Sequence, residues 1–207
     1  MPKQKLAFER GGTKQIELNW QLPWRNMTVS AGARALGQFA DRAELTAGKD
    51  FPLEGGSVLR VRLRRELGLP VLDVLRDGKP LPGSASDPQQ RLNVAVFMIF
   101  LLGGLTLVMS LVALATGASA LVKLGLGWYS LPMGVLFPAL GLIARKRHAW
   151  ALFAALALFL GDGVANLYVA EMQGGRPPIG AVLLRLFFII PILTGVRGVN
   201  TLNQEND

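Results

Sequence analysis

Residues 87–123 read DPQQRLNVAVFMIFLLGGLTLVMSLVALATGASALVK, and no charged side chain interrupts Leu92 to Val122. The core of that run, Val94 to Ala115, is long enough for the ~20 residues that carry an α-helix across ~30 Å of hydrocarbon. Asp87-Pro88-Gln89-Gln90 is a helix start. Asp supplies an acceptor at the N-cap, Pro takes the first helical position where no N–H is needed, and Gln stands at the third. Only Gly83-Ser84-Ala85-Ser86 separates this start from what precedes it, so the preceding domain is expected to lie close against a membrane surface.

Outward from this run the chain changes character. Of the 22 Lys and Arg, 14 precede Arg91, as do 10 of the 14 Asp and Glu. Overall 51% of the 207 residues are hydrophobic and 17% charged, against roughly 25% charged in ordinary soluble domains. The composition shift marks a boundary between a water-soluble domain, 1–86, and a transmembrane domain, 87–207.

Three more apolar runs follow, 124–144, 149–170 and 179–196, the last two interrupted by Asp162 and Arg185. Backbone groups in lipid must be satisfied internally, so each run is expected to be a helix, with the first spanning 92–115. The expectation is an α-helical transmembrane bundle of four helices. Arg145-Lys146-Arg147-His148, between the second and third runs, is the densest basic cluster of this half. It is the topogenic loop, and the positive-inside rule places it in the cytoplasm. The loop with Lys123 and the loop balancing Glu171 against Arg176 then lie outside. Trp128 and Tyr129 fall where an outer aromatic belt belongs, and Trp150 where an inner one does. Met1 to Lys5 leads into no apolar signal segment, which fits both termini being cytoplasmic in a multi-pass protein of a cell (inner) membrane.

Gly127, Gly134 and Gly141 recur every seven residues, close to two helical turns. Such a face lets helices approach closely. In an antiparallel hairpin Asp162 and Arg185 lie at depths differing by about 3 Å. A lone central charge costs roughly 2.5–3.5 kcal/mol on insertion scales, so the two are expected to form an intramembrane ion pair, with Asn166 one turn away as a further hydrogen-bonding group. The pair reads as a register-fixing contact or as part of a proton or anion relay.

The first domain shows period-two alternation: Ile16, Leu18 and Trp20 against Glu17 and Asn19, and Leu59, Val61 and Leu63 against Arg60, Arg62 and Arg64. Further strands are expected at 6–9, 26–30, 35–39, 50–53 and 71–76, and a helical turn at 41–45. Gly11-Gly12, Gly32, Gly55-Gly56 and Asp77-Gly78 mark the turns. Short strands at this spacing form an all-β antiparallel sandwich or barrel, whose open edges could accept a partner strand. The stripe of Arg60, Arg62, Arg64 and Arg65 reads as a solvated face, or as a face for lipid headgroups or a partner. Nucleic-acid binding is disfavoured because no aromatic side chains interleave with the arginines.

Ile16-Glu17-Leu18-Asn19-Trp20, Val29 to Gly32, Gly48-Lys49-Asp50-Phe51 and Arg76-Asp77-Gly78-Lys79-Pro80-Leu81 resemble strands of the Fas apoptotic inhibitory molecule family. That resemblance covers residues 1 to about 85 and implies an antiparallel β-sandwich without a catalytic site. The whole chain also resembles bacterial four-helix membrane proteins whose soluble part ends in a junction like Gly83 to Pro88.

Without cysteine, disulfides and thiolate chemistry are excluded, and the single His148 cannot build a multi-histidine metal or haem site. No phosphate loop, nucleophile elbow or paired carboxylates at helical spacing occur. No catalytic residue, cofactor or metal is therefore expected, and the chain is not expected to be an enzyme. The expected function is that of a non-catalytic accessory or interaction subunit. Its partners would be the lipid bilayer and a protein partner or larger membrane complex. The alternative is a small transporter or channel component working through Asp162 and Arg185.

Overall fold

The computed structural model describes residues 2–117, 126–128, 130–172 and 179–204, except the side chains of 166, 167, 169–171 and 179–184. The chain forms two compact units that meet at Gln90/Arg91, four residues beyond the expected boundary.

The first unit holds eight strands: β1 Lys3–Ala7, β2 Lys14–Gln21, β3 Arg25–Ala31, β4 Arg34–Phe39, β5 Lys49–Pro52, β6 Val58–Glu66, β7 Leu69–Arg76 and β8 Lys79–Pro80. They make two four-stranded antiparallel sheets in plain chain order, β1-β2-β3-β4 and β5-β6-β7-β8. Alternation places Ile16 and Leu18 of β2, Met27 and Val29 of β3, Leu59 and Val61 of β6, and Val74 of β7 in one fully buried cluster. Cross-strand partners Leu18↔Val29 and Val61↔Val74 point the same way, so each hairpin delivers a ready-made apolar face. Phe39 and Phe51 meet edge to face at 5.8 Å where the sheets join. Gly37 leaves room for that ring, since a Cβ there would sit 2.6 Å from Phe51 Cε1.

The expected first strand is shifted toward the N-terminus: Phe8 and Glu9 begin the turn that Gly11 (φ +80°) closes. The helical turn expected at 41–45 is α1, Arg42–Ala47. Asp41 caps it by accepting the Glu44 N–H at 2.8 Å, while Glu44 accepts the Ala40 N–H at 2.6 Å. Asp77 and Gly78 both take positive φ (48° and 80°) and turn the chain between β7 and β8. Leu67 and Gly68 do the same between β6 and β7 (50° and 79°). Leucine is a poor residue for that conformation, which is why this hairpin carries no sequence signal.

On β1 and β2, Lys5 stands opposite Glu17 in register, and Lys3 also reaches the Glu17 carboxylate. Hydrogen bonding from Lys3, with help from Asn19 and Lys5, pulls the Glu17 carboxyl down to about 2. A depressed folded-state carboxyl contributes stability above its unfolded value near 4.5, and loses it as pH falls toward 2. Wild type should therefore be more stable than Glu17→Gln at neutral pH. The difference should shrink between about pH 4.5 and 2 when thermal unfolding is followed by circular dichroism.

The second unit contains α2 Pro88–Thr116, α3 Leu131–Arg145, α4 Ala149–Met172 and α5 Ile179–Gln204. Leu92 and Ile99, Phe137 and Leu140, Leu152 and Phe159, and Ile192 and Val199 share one core. Among the described residues two helices are long and apolar enough to cross a membrane by length and composition: α2, and α5 over Arg185–Gln204. The four expected spans are thus met by two. At 15 residues α3 rises only about 22 Å, short of the hydrocarbon thickness. The apolar part of α4 over its described residues, Ala149–Ala165, is shorter than a span as well.

Of the three spaced glycines, two lie where helices touch. A Cβ on Gly134 would sit 2.9 Å from the Leu107 backbone, and one on Gly141 would press on Phe100 and Ile99 at 3.3–3.4 Å. Gly127 does not belong to this face. It precedes α3 in a turn, accepts the Ser130 N–H at 3.2 Å, and has open space around it. Gly103 against Pro138 and Gly195 against Ala95 are further close approaches. Gly134→Leu should therefore destabilise the helical unit by about 1–3 kcal/mol through overpacking. Gly104→Ala, with nothing within 4 Å of the added carbon, should be neutral or stabilising. Melting in mild detergent checks the contrast.

Candidate functional site

The charged pair of the helical unit is built from α4 and α5. Arg185 Nη2 lies 3.3 Å from Asp162 Oδ2, and Nη1 donates to the Phe159 carbonyl at 3.1 Å. The guanidinium carbon stands 5.4 Å from the centre of the Phe159 ring. Gly163 makes the seat possible, because a Cβ there would lie 2.6 Å from Nη1. Phe159 and Gly163 carry no charge or motif, so their part was invisible in the sequence. The pair is asymmetric: the Arg185 side chain is 24% exposed and the Asp162 side chain 46%. The side chain of Asn166 lies outside the described residues, as do Lys123, Tyr129, Arg176 and the Glu171 side chain.

The arginine stripe on β6 is largely neutralised by its neighbours. Arg60 makes two hydrogen bonds to Asp50, at 2.7 and 2.9 Å, across β5 and β6. Those bonds and the Asp50 charge raise the Arg60 guanidinium further above its ordinary range. Arg62 reaches Asp73 at 3.1 Å, and Arg64 reaches Glu66 at 3.2 Å and Asp73 at 3.4 Å. Asp73 and Glu66 are themselves buried beneath these arginines. Arg65 is exposed and makes no ion pair among the described residues. The face is a cross-strand ladder of opposite charges, which stabilises a sheet and leaves little net charge for an anionic surface.

The sheet edges are also poorer docking rails than the strand pattern suggested. β1 presents Lys3 and Lys5, β5 ends in Pro52, β8 has two residues including Pro80, and on β4 the Gln38 carbonyl accepts Lys49 Nζ at 3.0 Å. Edge lysines and prolines are the devices by which sheets avoid strand addition. Sequence reasoning missed a cleft of about 270 Å³ at one end of the sandwich. Phe8, Leu36 and Leu53 line it with apolar surface, and Arg34, Glu54 and Arg76 line it with charged groups. Arg76 lies over the Phe8 ring at 4.8 Å. The cleft draws on both sheets, so no local pattern announces it.

Arg145, Lys146 and Arg147, expected to form the topogenic loop, fall at the α3–α4 turn. Arg145 ends α3, Lys146 follows it, and Arg147 takes a left-handed φ of +66°. Among the described residues no group of three or more His, Cys, Asp and Glu side chains could hold a metal ion. No protein-family model, curated protein or solved structure matches the chain.

If Asp162 and Arg185 stabilise each other, Asp162→Arg and Arg185→Asp should each lower the folded yield in detergent. The double exchange should restore part of it, incompletely because the Phe159 carbonyl and Gly163 seat are shaped for a guanidinium. Size-exclusion profiles of the three variants read the outcome, and no recovery would contradict a stabilising pair.

Proposed function

We propose that this chain is a non-catalytic, multi-pass membrane protein, spanning the bilayer at least with α2 and α5 and with both termini in the cytoplasm. In this reading its β-sandwich is an interaction module for a partner in a membrane complex. The observation that carries the membrane part is the outer surface of α2. Phe97, Leu101, Leu105, Val108, Leu111 and Val112 recur at helical spacing and are 41–59% exposed. A core helix of a soluble protein buries such residues, and contiguous exposed apolar surface in water drives association. Phe153, Leu160 and Val164 of α4 and Leu186 and Phe187 of α5 extend the same character around the unit. Hydrocarbon is the medium in which these side chains cost nothing.

The interaction part rests on the sandwich. Arg60, Arg62 and Arg64 are engaged by carboxylates and the edges are blunted, which leaves the mixed apolar and polar cleft between the sheets as the surface best able to take a partner side chain. An apolar wall with a few oriented polar groups is the usual make-up of a recognition pocket.

In cells the protein should stay with the membrane fraction after an alkaline carbonate wash, and purification in mild detergent should recover a stoichiometric partner. Leu36→Arg, which fills the cleft with charge, should release that partner while the protein remains in the membrane. Recovery in the wash supernatant would refute the membrane reading. Proton or solute flux in liposomes that Asp162→Asn abolishes without unfolding would favour the transporter alternative, for which the half-exposed Asp162 carboxylate is the supporting observation.

A further inference from the structure

We propose that the cationic end of the helical unit binds the headgroups of anionic phospholipids in preference to neutral ones, an inference that rests on the membrane reading above. The start of α2, the end of α3, the start of α4 and the end of α5 come together there. A Cβ on Gly195 of α5 would lie 3.4 Å from the Arg91 carbonyl of α2 and 3.6 Å from Leu152 Cδ1 of α4, and Asn203 of α5 donates to the Arg147 carbonyl after α3 at 3.5 Å. Arg91 of α2, Arg145 of α3, Lys146 and Arg147 of the α3–α4 turn and Arg197 of α5 are therefore gathered at one end. Arg145 and Lys146 are exposed, and with Arg147 they make no ion pair among the described residues. Asp162 stands 13 residues along α4 from its first residue, roughly 20 Å away. Glu205 and Asp207 follow in sequence but lie outside the described residues.

What selects a lipid over a free anion is the surface beside the charges. Leu142, one turn before Arg145, is 54% exposed, and Trp150 and Phe153, on successive turns of α4, are 56% and 53% exposed. A phosphodiester held by Arg145 and Lys146 would have its acyl chains against Leu142 and Phe153, with the Trp150 indole at the polar–apolar boundary that Trp favours. Basic pockets between helix ends are the sites at which membrane proteins hold acidic headgroups.

The test uses the full-length protein in mild detergent, mixed with equal amounts of phosphatidylglycerol and phosphatidylcholine of matched chains, with retained lipid counted by native mass spectrometry. Wild type should retain phosphatidylglycerol several-fold over phosphatidylcholine. In R145Q/K146Q/R147G the preference should vanish, each lost cation lowering the ratio by up to roughly fivefold. Glycine suits the left-handed position of Arg147, so the turn should survive, as an unchanged circular dichroism melt would verify. Should the variant fail to fold, wild type still decides: its preference must fall as salt rises. Equal retention of both lipids by wild type, an unaltered preference in the folded variant, or insensitivity to salt would overturn the proposal. So would complete loss of the preference on adding inorganic phosphate at an ionic strength where chloride leaves it intact, which would assign the surface to a free anion. None of these outcomes touches the carbonate-wash result, so a membrane protein without lipid preference is distinguishable from a protein that is not in the membrane.

Discussion

Hydrogen bonding within a helix leaves α2 with satisfied backbone groups and unsatisfied surroundings. Between its ends its N–H and C=O groups close on one another, and Asp87 serves the start, accepting from the Gln89 N–H at 3.1 Å and from the Gly83 N–H at 2.9 Å. The hydroxyls are absorbed as well: Thr106 and Ser110 donate to carbonyls four residues back, and the Ser110 and Ser130 oxygens lie 2.6 Å apart. What remains is a column of large apolar side chains pointing outward, and every other feature of the helical unit answers to it. In such a setting a charge must find its opposite. Arg185 therefore takes Asp162, the Phe159 carbonyl and the Phe159 ring together, and charges without that arrangement gather at the helix ends.

The sandwich obeys the opposite constraint. Most of its charged side chains lie on its surface, and its apolar core lies on the inner faces. Its arginines are spent within the sheet, each of Arg60, Arg62 and Arg64 meeting a carboxylate on its own or a neighbouring strand. Exposed pairs of this kind contribute little individually, but together they remove the net charge that an isolated arginine stripe implies. In the proposed reading, partner specificity would then rest on shape and mixed polarity at the cleft.

Several parts of this architecture were legible from residue order. The split near residue 90, the helix start at Asp87-Pro88, the alternating strands and the Asp77-Gly78 turn all depend on neighbours a few positions apart, and periodicity reports such relations directly. The shift of β1 and the Leu67-Gly68 turn were not, because the bulge at Leu6/Ala7 and the positive φ of Leu67 are imposed by the register in which β1 pairs β2 and β6 pairs β7, not by residue type. Gly127 shares its spacing with Gly134 and Gly141, yet spacing has meaning only inside a helix, and α3 begins at Leu131.

By itself, then, the sequence determined that one half of the chain is a β domain and the other helical, with helices apolar enough for a membrane, since both follow from the local rhythm of apolar and polar residues. Tertiary structure alone decided which charges are cancelled and which stay open. Arg60 and Arg62 look as available as Arg145 and Lys146 until folding brings Asp50 and Asp73 beside the first two. The distance that separates a neutral ladder from an electrostatic surface is one through space, between residues 10 or 11 positions apart, and no local pattern encodes it.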